Sequence, residues 1–149
     1  MKPTHTILLV EDNPADITIL QRALRETEFA VELIVLRDGQ EALDYLFRCG
    51  PHADDPNWRC PDLILLDLNL PRVGGHEVLV RIRSRPGLNT IPVVVLSTSR
   101  RQEDVRAVYA AGGNTYFEKP QDFAKFVQVL QTIRRYWLEM AILPVAGRV

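Results

Sequence analysis

Four places in the chain put ionisable or nucleophilic residues where an apolar run stops. TILLV (6–10) is followed by Glu11 and Asp12, LILL (63–66) by Asp67, VVVL (93–96) by Ser97 and Thr98, and TYFE (115–118) by Lys119 and Pro120. Taken singly, each has an ordinary structural explanation. An Asp closing a strand is commonly a turn or capping residue, a Ser a turn hydroxyl, and a Lys-Pro pair a surface loop. Taken together they form a set. Three carboxylates brought close repel one another, and that is costly without a cation beside them. A hard divalent ion such as Mg²⁺ relieves the repulsion, because it prefers oxygen ligands in octahedral geometry and keeps several waters. Asp12, Asp67 and one backbone carbonyl just after Asp67 are the protein ligands this chemistry would use, and the waters leave room for a phosphoryl oxygen.

For these residues to meet, the runs that carry them must lie side by side. Run 6–10 reads as a buried strand, with Asn13 as N-cap and Pro14 as first residue of a helix whose apolar face is Ile17, Leu20, Ala23 and Leu24. A second strand spans 31–36, and Ala42, Leu43, Leu46 and Phe47 mark a helix after the Asp38-Gly39 turn. A loop rich in Gly, Pro and Asp covers 49–61. Strand 63–66 leads to a helix marked by Val78, Leu79 and Ile82, and strand 93–96 to one marked by Val105, Val108 and Ala111. Strand 115–118 precedes a last helix from Asp122 to about Met140. This β/α alternation predicts an α/β fold, a parallel sheet covered by helices on both faces. In such a sheet, ligands bind at the carboxyl ends of the strands, where all four clusters fall.

The totals narrow the function. At 149 residues, 46% apolar and 25% charged, the chain fits one domain with a single core. A net charge of −1 gives no electrostatic reason for nucleic-acid binding. No apolar run is long enough to span a membrane, and residues 1–10 lack the layout of a signal peptide, so a cytoplasmic protein is expected. In that compartment Cys49 and Cys60, which bracket the 49–61 loop, are expected to be free thiols, although a local disulfide between them is conceivable.

The joint pattern resembles the receiver domain of bacterial two-component response regulators. DLNLPRVGG carries the family's D-x-x-x-P-x-x-x-G motif, with Asp67 at the phosphoacceptor position. Ser97 lies 30 residues on, at the hydroxyl position, in place of the commoner Thr. Tyr116 stands at the aromatic switch position, and Lys119-Pro120 matches the family's Lys-Pro pair. VEDNPADITIL, PDLILLDLNLPRVGGHEVL, IPVVVLSTS and YWLEMAILP further resemble stand-alone regulators that partner phytochrome-type histidine kinases. The resemblance implies a flavodoxin-like doubly wound sheet of five strands in the order 2-1-3-4-5. It implies transfer of a phosphoryl group from a histidine kinase of bacteriophytochrome type onto Asp67. The ion would be Mg²⁺ or Mn²⁺, held by Asp12, Asp67 and the Asn69 carbonyl, with Glu11 acting through water. Lys119 and Ser97 would contact the phosphoryl group, Ser97 and Tyr116 would form the switch, and the Lys119–Pro120 peptide would be cis.

Two other readings stay open. A haloacid-dehalogenase-type phosphatase also uses a strand-end Asp, Mg²⁺ and a Lys, but needs a second acid where this chain has Asn69, and a cap domain that the chain lacks room for. A pseudo-receiver would be an interaction module without phosphorylation; the complete acidic set speaks against it. Finally, Phe123, Phe126, Leu130, Ile133, Trp137 and Met140 are spaced 3, 4, 3, 4, 3, an a/d stripe that continues into Ile142, Leu143 and Pro144. The first half of this helix is expected on the sheet, whereas the apolar groups from about 137 onward exceed what a receiver core can cover. A homodimer is therefore expected, with Phe126, Leu130, Ile133, Trp137, Met140, Ile142 and Leu143 at its interface.

Overall fold

The computed structural model describes residues 5–25 and 31–144. Residues 1–4, on which the signal-peptide expectation partly rests, and residues 145–149 of the expected tail lie outside the described residues. Five strands, β1 (His5–Val10), β2 (Val31–Leu36), β3 (Leu63–Leu66), β4 (Val93–Ser97) and β5 (Thr115–Glu118), form one sheet. All neighbours pair in parallel, in the order β2-β1-β3-β4-β5. Five helices alternate with them: α1 (Pro14–Arg25), α2 (Gly39–Leu46), α3 (Gly75–Arg83), α4 (Gln102–Ala110) and α5 (Phe123–Arg134). This is the flavodoxin-like doubly wound arrangement.

The central strands are apolar on both faces because helices cover both. Leu8, Val10, Ile64, Leu66, Val93 and Val95 meet α2, α3 and α4, while Ile7, Leu9, Leu63, Leu65, Val94 and Leu96 meet α1 and α5. Successive side chains alternate faces, so every residue of β3 is buried. The edge strand β2 is only half-buried. Register then aligns the strand tips. Val10 sits opposite both Leu36 and Leu66, and Ser97 opposite Glu118. The residue after each tip therefore emerges at one edge, where the strand order reverses between β1 and β3.

The first helix starts at the expected cap, and Asp38, read as a turn residue, also proves to be a cap. Asn13 Oδ1 accepts the backbone N–H of Ala15 and Asp16 at 2.9 and 3.1 Å, and Asp38 Oδ1 accepts that of Glu41 at 2.7 Å. The 49–61 loop is not loose. Trp58 Nε1 donates to the Tyr45 carbonyl at 2.8 Å, and the Tyr45 hydroxyl donates back to the Arg59 carbonyl at 2.7 Å. The loop thus folds onto the end of α2 and shields Tyr45. Both cysteines are free thiols, and burial raises that of Cys60 to about 11, far from a reactive thiolate.

Two expectations are corrected here. No peptide bond among the described residues is cis, so Lys119–Pro120 is trans, the isomer intrinsically favoured before proline. With it trans, Lys119 still reaches the carboxylates described below. The interface assignment also changes. Phe126, Leu130 and Ile133 are buried against β1, β3, β4 and α1. Each such burial stabilises by about 1.5–3 kcal/mol, so these side chains are spent on the fold and are unavailable to a partner. Beyond Arg134 the helix widens into a π turn, Arg135–Met140, closed by Ala141 N–H donating to the Tyr136 carbonyl at 2.7 Å. The extra residue rotates the apolar face. Leu138 consequently packs in the core beside half-buried Trp137, while Met140 and Ile142 point outward at 67% and 99% exposure.

Candidate functional site

Among the described residues, the buried polar side chains are Thr6, Glu11, Asp67, Ser97 and Lys119. Four of those five occupy the carboxyl edge of the sheet. Burial of ionisable groups is costly unless they are paired, so their gathering needs a physical reason.

Backbone bonds bolt the tips together. Asp67 N–H donates to the Val10 carbonyl at 3.1 Å, Glu11 N–H to Leu36 at 3.0 Å, and Lys119 N–H to Ser97 at 2.7 Å. The strand ladders thus run one residue past each strand and fix the starting point of each side chain. The loop after Asp67 then turns tightly. Asn69 N–H donates to Asp67 Oδ1 at 3.2 Å, and Gly75 N–H to the Leu68 carbonyl at 2.9 Å. A Cβ on Gly75 would sit 2.1 Å from the Asp67 carbonyl oxygen. The motif's last glycine is therefore required by contact: α3 starts directly against the backbone of Asp67.

The side chains converge as the strand pattern predicts. Oxygens of Glu11, Asp12 and Asp67 all lie within 4.8 Å of one another. Lys119 Nζ reaches across from β5 and donates to Glu11 Oε1, to Asp16 Oδ2 at 3.0 Å and to Asp67 Oδ2 at 3.2 Å. Glu11 Oε2 accepts from the backbone N–H of Asp12 and Asn13 at 3.1 and 3.3 Å. Both oxygens of buried Glu11 are thus engaged, while Asp12 is exposed.

The charges do not balance. Burial, together with the neighbouring Asp67 charge and against the pull of Lys119, raises the Glu11 carboxyl to about 7. For Lys119, burial acts to lower the ammonium, but its bond to Glu11 and the Asp67 and Glu11 charges outweigh that and raise it. Lys119 pairs with three carboxylates and Asp12 adds a fourth, which leaves net negative charge at a partly enclosed, all-oxygen cluster. That donor set suits a hard divalent cation and offers nothing to a soft one.

Ser97 is fully buried on the neighbouring strand, its Oγ accepting Ser99 N–H at 3.1 Å. It borders a cavity of about 220 Å³ whose lining includes Asn69, His76 and Asp104. The half-buried Tyr116 donates its hydroxyl to the Ser99 carbonyl at 2.6 Å, so it sits against the β4–α4 loop that follows Ser97. A larger cleft of about 730 Å³, with Thr98, Arg100 and Lys125 in its wall, opens beside Lys119 and Pro120.

Glu11, Asp12, Asp67, Asn69, Ser97, Lys119 and Pro120 lie at this edge, and Tyr116 lies within β5, opposite Val95. Asp16 was not expected. As the third helical residue after the Asn13 cap it reads as an acid suited to a helix N-terminus, and nothing local ties it to a lysine 103 positions away.

Known proteins share this sequence and architecture. Residues 7–131 match the model of the response regulator receiver domain. Response regulator Rcp1 of Synechocystis sp. is 43% identical over 97% of this chain and 96% of its own. The crystal structure of the phosphorylated cyanobacterial phytochrome response regulator RcpA superposes with a TM-score of 0.90 at 45% identity, covering 95% of this chain and 99% of RcpA. The Mn²⁺-bound form of Rcp1 gives 0.89 at 42% identity, covering 95% and 99%. The bacteriophytochrome response regulator RtBRR gives 0.72 at 40% identity, covering 96% and 86%.

Proposed function

The chain belongs to the response regulator receiver domain family, and from that premise we propose that it accepts a phosphoryl group on Asp67 from the phosphohistidine of a sensor kinase. It is a signalling protein of the two-component type, one receiver unit with an extension of its last helix and tail from about 137. The observation that carries the proposal is the Lys119 ammonium on Asp67 Oδ2 inside a cluster of three carboxylates at the sheet's switch point.

The transfer is an in-line displacement. An Asp67 carboxylate oxygen forms the new O–P bond as the N–P bond of the phosphohistidine breaks, and the imidazole leaves with the electron pair. Lys119 donates to the incoming phosphoryl oxygens, and Ser97 Oγ is placed to donate a further bond. The Asn69 N–H, which holds Asp67 Oδ1, keeps the carboxylate oriented. Asp12, Asp67 and the Asn69 carbonyl would hold Mg²⁺ or Mn²⁺. The Leu68 carbonyl is already engaged by Leu70 and Gly75 N–H, and the full engagement of both Glu11 oxygens fits contact through water. When bound, the ion supplies the positive charge that neutralises the equatorial phosphoryl oxygens. The new charge on Asp67 then draws Ser97 and Lys119, and Tyr116, held on the β4–α4 loop that follows Ser97, relays the shift to the α4–β5–α5 face.

A phytochrome-type kinase is the proposed donor, on the strength of the similarity to the cyanobacterial phytochrome response regulator RcpA and the bacteriophytochrome response regulator RtBRR. Output by protein contact in the cytoplasm, without nucleic acid or membrane, completes the proposal; no helix among the described residues is long and apolar enough to cross a membrane. The exposed Met140 and Ile142 and the half-buried Trp137 and Leu143 support a homodimer through the tail. The test is transfer from radiolabelled phosphorylated kinases. Label should pass to the wild type and not to Asp67→Asn, and fastest from a phytochrome-type kinase. Labelled Asp67→Asn would remove the acceptor, and equal rates from unrelated kinases would remove the partner.

A further inference from the structure

Lys119 has three N–H donors, and all three are committed. They go to Glu11 on the β1 tip, Asp67 on the β3 tip and Asp16 in the first turn of α1. If Lys119 is to donate more than one bond to a phosphoryl group on Asp67, a carboxylate must give it up. The three are not equivalent. The side chains of Glu11 and Asp67 are 2% and 8% exposed, whereas that of Asp16 is 21% exposed. A buried carboxylate that loses its cation is left without solvation, while Asp16 can take water in its place. Release from Asp16 is the least costly route by which the ammonium turns toward the phosphoryl oxygens.

We propose that Asp16 is a positioning residue for Lys119, a releasable carboxylate that holds the ammonium toward α1 before phosphorylation and competes with the phosphoryl group for it afterwards. This rests on the phosphoacceptor reading above and adds a residue to it. Asp16 is well placed for the part. Its backbone N–H is held by the Asn13 cap at 3.1 Å, so its Cα keeps its place beside the site whether or not Lys119 is bound. Competition has a direction: taking the charge from Asp16 should strengthen the grip of Lys119 on a phosphoryl-like ligand. A lesion that merely loosened the fold would weaken it.

The probe is beryllofluoride with Mg²⁺, a non-covalent phosphoryl mimic, titrated into the full chain and followed by the fluorescence of the intrinsic tryptophans or by amide NMR shifts. Asp16→Asn should bind about two- to fivefold more tightly than wild type, the range of one partly screened charge pair. Asp16→Glu should restore wild-type affinity. In a Lys119→Ala background, Asp16→Asn should produce no gain, since the effect acts through the ammonium. Unchanged or weaker binding by Asp16→Asn, or an equal gain with Lys119 absent, would overturn the inference. If wild type showed no binding that Asp67→Ala abolishes, the phosphoacceptor reading itself would fall and take this inference with it. Binding by wild type without the Asp16→Asn gain would remove the positioning role alone.

Discussion

Replacing Lys119 with Ala removes the ammonium shared by Glu11, Asp16 and Asp67. Deleting one partner of a buried ion pair usually costs about 3–5 kcal/mol, because the remaining charge has neither water nor counter-ion. Here two outlets limit that cost. The carboxylate of Asp16 is partly in water, and Glu11 can take up a proton. Its carboxyl is already raised to about 7, and the influences that hold it down come from Lys119. Without Lys119 it rises further. A carboxyl whose folded pKa lies above its unfolded value of 4.5 lets stability fall as pH climbs from 4.5 toward the folded pKa. At pH 6 Glu11 is largely protonated in both proteins and adds little to their difference. Above 7 the wild-type group ionises while that of the variant stays protonated, so each further pH unit enlarges the deficit by up to about 1.4 kcal/mol. The expected loss is about 2–3 kcal/mol at pH 6 and about 3–4.5 kcal/mol at pH 8. Urea denaturation at the two pH values, with and without millimolar Mg²⁺, measures it. Mg²⁺ should stabilise the variant more than the wild type, because it replaces the missing cation. A deficit independent of pH, or equal stabilisation of both proteins by Mg²⁺, would refute the reasoning.

Other perturbations probe separate parts of the site. Gly75→Ala should lower stability by about 2–4 kcal/mol in thermal unfolding, since a Cβ 2.1 Å from the Asp67 carbonyl oxygen forces the α3 start off the loop. Asp12→Asn should leave the fold intact, because the side chain is exposed, while weakening Mn²⁺ binding at least tenfold by calorimetry. Met140→Ser with Ile142→Ser should shift the mass seen by light scattering toward monomer without changing thermal stability, whereas Leu138→Ala should destabilise by about 2–4 kcal/mol because that side chain is core. A double variant of Met140 and Ile142 that remained fully dimeric would take the tail out of the interface.

Most of the fold was legible because its signals are local. Four-residue runs such as LILL between turn residues specify buried strands, and Asn13 and Asp38 cap the helices they precede. The candidate site was legible because a parallel sheet places all strand tips at one edge. What escaped depends on contacts between distant segments or on small changes of helical pitch. Asp16 meets Lys119 only after β1 and β5 are placed in the sheet. A heptad count carried past Ile133 continues at Trp137, but the π turn advances the face by one residue and buries Leu138 in the core. The reason for Gly75, too, lies in the approach of α3 to the backbone of Asp67 and not in any local turn preference. The trans peptide before Pro120 follows the intrinsic preference of X–Pro bonds over the family pattern.

The central claim is that Asp67 is the phosphoacceptor and that a divalent ion is required. Intact mass spectrometry after incubation with acetyl phosphate tests it directly. The wild type should gain the mass of a single phosphoryl group with Mg²⁺ present and none with a chelator, and Asp67→Asn should gain none in either condition. A phosphoryl group acquired at the same rate by Asp67→Asn, or by the wild type in chelator, would contradict the account.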